Sequence, residues 1–391
     1  MDIANPDLFQ FLVDNYLGLL SVIILLVAFF NNYALIPKVI WVVHQKKLYK
    51  EVNGRSAHND QTSTLAGVAF FITFVLILSI LQGGYNSAVG NNVIAAITLV
   101  FMVGVKDDLV VSSAKTKFIG QVVAALFVVL SSSTRIENLH GFLGLTVLPP
   151  FVGAAISVFI LLAIINAYNL IDGVNGLAAI IGIVICSTFA WSFYVMNAIF
   201  FLMISLVTIG ILFGFLPHNF AKGDRRIFMG DSGSLMIGLI IGMLTLRVIT
   251  LTEHPSLMRF ALAPDHRILF ALSVLFIPTF DTLRVMVLRL SKGKSPFSAD
   301  ANHTHHILLR AGFCHWQVSL LLGIINLGVI VLYMNLGFFF SSTVVLFVGV
   351  ILCYLILYYV CYRLSLKYPE TEASLVPKAE GSKAKSLTQK A

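Results

Sequence analysis

Charge is what this sequence has least of. Only 11% of its 391 residues are Asp, Glu, Lys or Arg, while 58% are hydrophobic; an average soluble domain is about 25% charged. That balance excludes a soluble protein built around one buried core. Cysteine is sparse as well: Cys186, Cys314, Cys353 and Cys361 show no C-x-x-C spacing, which leaves no case for a disulfide framework or a structural zinc site. Basic residues outnumber acidic ones, 26 to 18. They are scattered and form no compact patch with interleaved aromatics, so nucleic acid is not an expected partner. Asp2, Asp7 and Asp14 occupy the start of the chain, where a signal peptide would have a basic region, and no small-residue cleavage site follows. The first apolar run therefore reads as a retained helix. No internal repeat stands out, which argues against an inverted-repeat carrier.

Long apolar runs are what the chain has in abundance. A membrane-spanning helix needs about 20 apolar residues, and eleven candidate runs lie near 16–43, 63–81, 89–105, 117–134, 148–168, 177–195, 197–217, 233–251, 267–289, 317–335 and 340–362. The expected fold is all-α, a polytopic integral membrane protein of about eleven transmembrane helices. A single domain over 1–363 would be followed by a polar, Lys-, Ser- and Glu-bearing tail over 364–391 with no apolar period, expected to be disordered. Residues 135–150, with Gly141, Gly144 and paired prolines, read as a small turn or hairpin between spans. With eleven spans, one set of loops carries Lys46, Lys47, Lys50, Arg55, Lys106, Lys115, Lys117, Lys222, Arg225, Arg226, Lys292, Lys294 and Arg310. The opposite set carries only Arg135 and Arg259, with Arg247 and Arg267 at helix ends. Positive charge stays inside, so the first set and the C-terminus are expected in the cytoplasm and the N-terminus outside.

Four polar islands interrupt the hydrocarbon, all on the expected cytoplasmic side. Lys106-Asp107-Asp108 closes the third run. Adjacent carboxylates repel at the edge of hydrocarbon unless a cation holds them, and magnesium suits such oxygen ligands; a solvated helix end neutralised by lysines is the alternative. Asn166, Asn169 and Asp172 are spaced by three, so on a continuing helix they fan over about a third of the circumference and face a common cleft, unless they serve only as polar capping. Gly230-Asp231-Ser232-Gly233-Ser234 opens the eighth run. Its free N–H groups and helix dipole make a ready anion site, where Asp231 could hold a metal; otherwise Asp231 and Ser234 merely cap the helix. Finally, His303, His305 and His306 lie in a loop after Ser295-Pro-Phe-Ser-Ala-Asp300. Their imidazoles suit phosphate oxygens better than zinc, with a solvated loop as the remaining reading. Within the ninth run, Asp281 and Arg284 are three residues apart and able to neutralise each other.

Taken in order, G-x-x-D-D, N-A-x-N-x-x-D-G, F-M-G-D-x-G-S and H-x-H-H resemble the polyprenyl-phosphate N-acetylhexosamine-1-phosphate transferases, the first membrane enzymes of O-antigen, enterobacterial common antigen, teichoic acid and peptidoglycan lipid synthesis. The likeness runs from Arg55-Ser-Ala-His58 to Arg310-Ala-Gly-Phe313. It is greatest to the bacterial undecaprenyl-phosphate N-acetylglucosaminyl-1-phosphate branch, since Thr304 splits the histidine run of the muramoyl-pentapeptide branch. The resemblance implies a multi-pass enzyme of the bacterial inner membrane that transfers GlcNAc-1-phosphate from a UDP-sugar to undecaprenyl phosphate with release of UMP, its active site at the cytoplasmic face. It implies magnesium, or manganese, on Asp231, with Asp107 and Asp108 assisting as metal ligands or activating the lipid phosphate. Asn169 and Asp172 would contact the nucleotide side, with Asp172 also counted as catalytic and Asn166 as substrate-binding. Phe228 would stack on uracil, and Lys117, His303, His305 and His306 would hold phosphates or sugar. Expected partners are UDP-N-acetylhexosamine, undecaprenyl phosphate and the bilayer, with a homodimer left open. The same reaction on another UDP-N-acetylhexosamine is the alternative, followed by a membrane carrier of lipid-linked or anionic sugars. Two departures stand out: Asn175 replaces an aspartate found in many relatives, and the stretch Asn219–Phe228 is about two residues longer than usual, which unsettles a uridine contact at Asn219.

Overall fold

The computed structural model describes residues 6–48, 63–85, 88–110, 112–251, 263–296, 302–340 and 343–369. Over these the chain is helical: α1 (Pro6–Lys46), α2 (Ala66–Tyr85), α3 (Ala88–Leu109), α4 (Ala114–Val129), α5 (Pro150–Leu170), α6 (Leu177–Val195), α7 (Ile199–Asn219), α8 (Gly230–Thr250), α9 (Arg267–Val274), α10 (Phe276–Ser291), α11 (Thr304–Arg310), α12 (His315–Phe339) and α13 (Thr343–Lys367). Two isolated bridges, Ser63 with Ile227 and Asn138 with Val147, are the extended pairings among the described residues. The second closes the expected 135–150 hairpin, where Gly141 turns at φ +87°. The segments 55–58 and 297–300, and the tail beyond 369, lie outside the described residues; α13 itself runs four residues past the expected end of the membrane domain, to Lys367.

Every expected apolar run contains helix, but the runs are not equivalent. Helices α1, α3, α5, α6, α7, α8, α12 and α13 are long and apolar enough to cross a membrane. The run at 117–134 yields only the 16 residues of α4, about 24 Å long at 1.5 Å per residue, against a hydrocarbon core of about 30 Å. The apolar part of α2 is likewise short, Ala66–Gln82. The single span expected at 267–289 is broken, α9 and α10 meeting at 72°. Pro278 sits in the first turn of α10 and has no N–H to continue the helix, so backbone groups at the break need other partners. Asn326 of α12 supplies them: its Nδ2 donates to the Val274 carbonyl and its Oδ1 accepts from the Ile277 N–H, both at 3.0 Å.

Helix α8 is the most enclosed and packs against α2, α3, α5, α6 and α9. Close approach depends on missing side chains. A Cβ on Gly67 of α2 would lie 2.4 Å from the Gly233 nitrogen, and one on Gly104 of α3 would lie 2.4 Å from the Ser232 Cα. Small residues let membrane helices pack backbone to backbone, and here they bring the start of α8 against the start of α2 and the end of α3. Three hydroxyls inside the bundle are satisfied locally: Ser205, Thr208 and Thr245 each donate to the carbonyl four residues back, at 2.8, 2.9 and 2.8 Å.

Candidate active site

The site grows from the first turn of α8. Gly230 adopts φ +69°, and a Cβ there would lie 1.9 Å from the Thr64 carbonyl and 2.8 Å from Asp108 Oδ2, so only glycine fits. Met229, at the cap position, gives no side-chain cap. The cap comes from α3: Asp108 Oδ1 accepts from the Asp231 N–H and Oδ2 from the Ser232 N–H, each at 2.9 Å. An anion at a helix N-terminus is the expected partner of unpaired amides and of the helix dipole. Here that anion is the protein's own carboxylate, 3% exposed. The amides read from the sequence as a phosphate site are therefore already engaged, and neither Asp231 nor Ser234 serves as the cap.

With the cap supplied by α3, the Asp231 carboxylate is left to partners on α5 and α4. Its Oδ1 accepts from Asn169 Nδ2 at 2.7 Å and lies 3.0 Å from Lys117 Nζ. Asn169 also donates to Ser234 Oγ at 2.7 Å, and Ser234 in turn donates to the Gly230 carbonyl at 2.8 Å. Asp107 stands across from Asp231, carboxylate to carboxylate within hydrogen-bonding reach. Its other contacts are the Ser112 N–H at 2.9 Å and Lys117 at 3.7 Å. Asp107, Lys117 and Asp231 keep 14%, 20% and 18% of their side chains exposed, so a substrate could reach them. The expected trio of carboxylates is thus divided: Asp107 and Asp231 face each other, and Asp108 is buried behind them.

The structure also separates the 166–172 island. Asn166 donates to Gln121 Oε1 at 2.9 Å and to the Leu162 carbonyl at 2.7 Å, so it ties α5 to α4 instead of facing the Asp107–Asp231 pair. Asn169 alone of the two amides reaches that pair. Asp172 follows α5 in a turn and is half-buried. Burial, then the charges of Asp231 and Asp108, hold its carboxyl well above the usual carboxylate range, against one hydrogen bond from the Gly230 amide. Asn219 is buried, its Oδ1 accepting from the Gly176 N–H at 2.5 Å and its Nδ2 donating to the Ile227 carbonyl at 2.9 Å; both ends of its amide bind backbone. Phe228 is half-buried, with its N–H donating to the Ser63 carbonyl at 2.8 Å.

The histidines sit beside this turn. A Cβ on Gly173 would lie 2.7 Å from His305 Nε2, which places the loop against the residue after Asp172. His303 and His305 are stacked, centroids 5.6 Å apart, and His305 and His306 are 4.4 Å apart. His303 and His305 are buried, contrary to a solvated loop. Burial pushes the His305 imidazole down to about 3; His306, His303 and Arg284 add to this and Asp281 opposes it. What sequence reasoning missed is the support behind the loop. Asp281 lies 3.7 Å from Arg284 as the spacing suggests, but its closer partners are His303 and Thr304, at 2.7 and 2.6 Å. A carboxylate inside an apolar run, upstream of a histidine cluster, was the available signal.

Among the described residues, no three His, Cys, Asp or Glu side chains converge on one point. The two facing carboxylates of Asp107 and Asp231 would suit a magnesium ion, while the Asn169 Nδ2 beside them donates to Asp231 and is not a ligand. That ion is usually held by one or two carboxylates with substrate phosphates and water completing its shell.

The family model described as glycosyl transferase family 4 matches residues 91–249, the stretch from α3 to the end of α8. The chain is 33% identical over 296 residues to a decaprenyl-phosphate N-acetylglucosaminephosphotransferase of Mycolicibacterium smegmatis, covering 70% of this chain and 72% of that protein. It is 30% identical to a probable undecaprenyl-phosphate N-acetylglucosaminyl 1-phosphate transferase of Bacillus subtilis, covering 75% of each. It is also 30% identical to an undecaprenyl-phosphate alpha-N-acetylglucosaminyl 1-phosphate transferase of Salmonella typhi, over 70% of this chain and 72% of that one.

Proposed function

Because the chain belongs to glycosyl transferase family 4, with the polyprenyl-phosphate N-acetylglucosamine-1-phosphate transferases, we propose that it moves GlcNAc-1-phosphate from UDP-GlcNAc to undecaprenyl phosphate at the cytoplasmic face of a bacterial inner membrane. An oxygen of the lipid phosphate attacks the phosphorus that carries the sugar, the bond between the two donor phosphates breaks, and UMP leaves. The observation that carries the reading is the facing pair Asp107 and Asp231, joined by Lys117 and Asn169 at one end of an apolar bundle. A carrier would spread its polar groups through the midplane; here they gather at the ends of α3 and α5 and the start of α8.

Two phosphates repel, so the protein's task is to position them and neutralise their charge. Asp107 and Asp231 would hold magnesium, which supplies charge neutralisation at the diphosphate. Lys117, beside both carboxylates at 3.7 and 3.0 Å, would offer its positive charge to a phosphate oxygen of the donor. Asn169 fixes the Asp231 carboxylate, and Asp108 fixes the turn that presents it. Asp172, in the turn after α5 beside these carboxylates, would act on the donor with them, burial and the charges of Asp231 and Asp108 holding its carboxyl above the usual range. The histidine loop, seated against Gly173, takes the sugar or the nearer phosphate, and Phe228 stacks on the uracil.

The test is UMP release by purified protein with magnesium, a panel of UDP-sugars, and both undecaprenyl and decaprenyl phosphate as acceptors. The reading requires UDP-GlcNAc and undecaprenyl phosphate to give the highest kcat/KM. Release of UMP with no lipid-linked sugar formed, or a different preferred sugar, would refute it.

A further inference from the structure

Asp281 has more hydrogen-bonding than a simple ion pair with Arg284 explains. It lies on α10, the second half of the broken span, and is 2% exposed. One oxygen, Oδ2, lies 2.7 Å from His303 Nδ1. The other accepts from both the backbone N–H and the hydroxyl of Thr304, each at 2.6 Å. Thr304 is the first residue of α11, whose cap position, His303, offers no side-chain cap. Arg284 offsets the buried charge from 3.7 Å and donates to the Asn302 carbonyl. One carboxylate therefore pins the backbone at the start of α11 and one particular nitrogen of the ring just before it.

We infer that Asp281 is a positioning residue for transfer, acting through His303. A carboxylate accepts a hydrogen bond only from a protonated ring nitrogen, so it fixes His303 with its proton on Nδ1 and turns Nε2 away from α10. A ring oriented in this way is the usual outcome where a carboxylate backs a working histidine. The stack of His303 on His305, and of His305 against Gly173, carries this anchoring to the turn that holds Asp172. The broken span has a use in this arrangement: the 72° bend sends α10 off at an angle, and the buried acid it carries meets the loop. The inference rests on the reading that the histidine loop contacts the sugar nucleotide.

Two measurements test it. The first needs no variant of Asp281: wild-type protein labelled with 15N-histidine, the His303 resonances assigned by their loss in His303→Gln. Protonated Nδ1 at neutral pH is expected, and an Nε2-protonated neutral ring overturns the inference. The second is a double-mutant cycle with Asp281→Asn, His303→Gln and the pair, read as kcat and donor KM. Each single change is expected to lower kcat/KM for UDP-GlcNAc at least tenfold, with KM for the lipid acceptor unchanged, and the double variant is expected to be no worse than His303→Gln alone. Asp281→Glu should recover part of the loss. Multiplying losses in the double variant would overturn the positioning role while leaving the loop's role intact. A His303→Gln variant with wild-type donor kinetics would instead overturn the reading of the loop. Since these outcomes differ, the two failures are told apart.

Discussion

Replacing Asp107 and Asp108 one at a time should separate chemistry from architecture, although the two residues are adjacent. Asp108 accepts two backbone N–H groups of α8 from a buried position. In Asp108→Asn one amide oxygen can keep one of these bonds, but an NH2 group then faces the second N–H. Hydrogen bonds to a charged group contribute about 1.5–3 kcal/mol each, and a stranded buried donor costs about 1–3 kcal/mol. The expected loss of stability is therefore about 2–4 kcal/mol, by the same magnitudes. Turnover should fall with it, since the turn that presents Asp231 is no longer held. Asp107 is partly exposed and accepts a single N–H, from Ser112. Asp107→Asn should change stability by no more than about 1 kcal/mol, the scale of an exposed ion pair, yet lower kcat by about a hundredfold or more, the scale of a removed electrostatic or acid–base group. Chemical unfolding in detergent, run beside UMP release, gives both quantities. An Asp108→Asn protein as stable as wild type would refute the capping argument. An Asp107→Asn protein with turnover within a few-fold of wild type would refute the assignment of Asp107 to the reaction.

Activity should require magnesium or manganese and vanish in Asp231→Asn; full UMP release in excess chelator would contradict this. Gly173→Ala should raise the donor KM by about tenfold, because the added Cβ would lie 2.7 Å from His305 Nε2; an unchanged KM would mean that the loop does not need its position. Asp172→Asn should abolish turnover, whereas Asn175→Ala should keep a measurable rate with an altered donor KM, since the contact recorded at Asn175 is its backbone carbonyl with Ser319 Oγ at 2.7 Å. Because the Asp172 carboxyl is held above the usual range, the folded protein binds a proton that the unfolded chain releases, so this group's contribution to stability declines as pH rises above the ordinary carboxylate value. In metal-free protein Asp172→Asn should therefore flatten that decline, which melting curves across pH would show; an unaltered slope would refute it.

The membrane class, the run of helices and the membership of the polar islands were legible in the sequence because each rests on local chemistry. A run of about 20 apolar residues has few alternatives to a spanning helix, and Asp107, Asn169, Asp231 and His303 interrupt such runs where polar groups are costly. Residue types alone could not divide roles inside an island. Asp107 and Asp108 are chemically identical neighbours, and successive helical side chains point about 100° apart. The approach of α8 to α3 at Gly104 decided which carboxylate meets the Asp231 amide and which meets the Asp231 side chain. Asn166 and Asn169 likewise share a spacing but not a partner, because Gln121 of α4 lies beside only one of them. The run over 267–289 reads in sequence as one span, although Pro278 is the available signal of a break; the backbone groups freed there are met by Asn326 reaching in from α12. Sequence settles what a segment can be, since hydrophobicity and backbone geometry are properties of neighbours in the chain. Which hydrogen bond a buried polar atom makes is settled by whichever helix packs against it, and that is a property of the folded bundle alone.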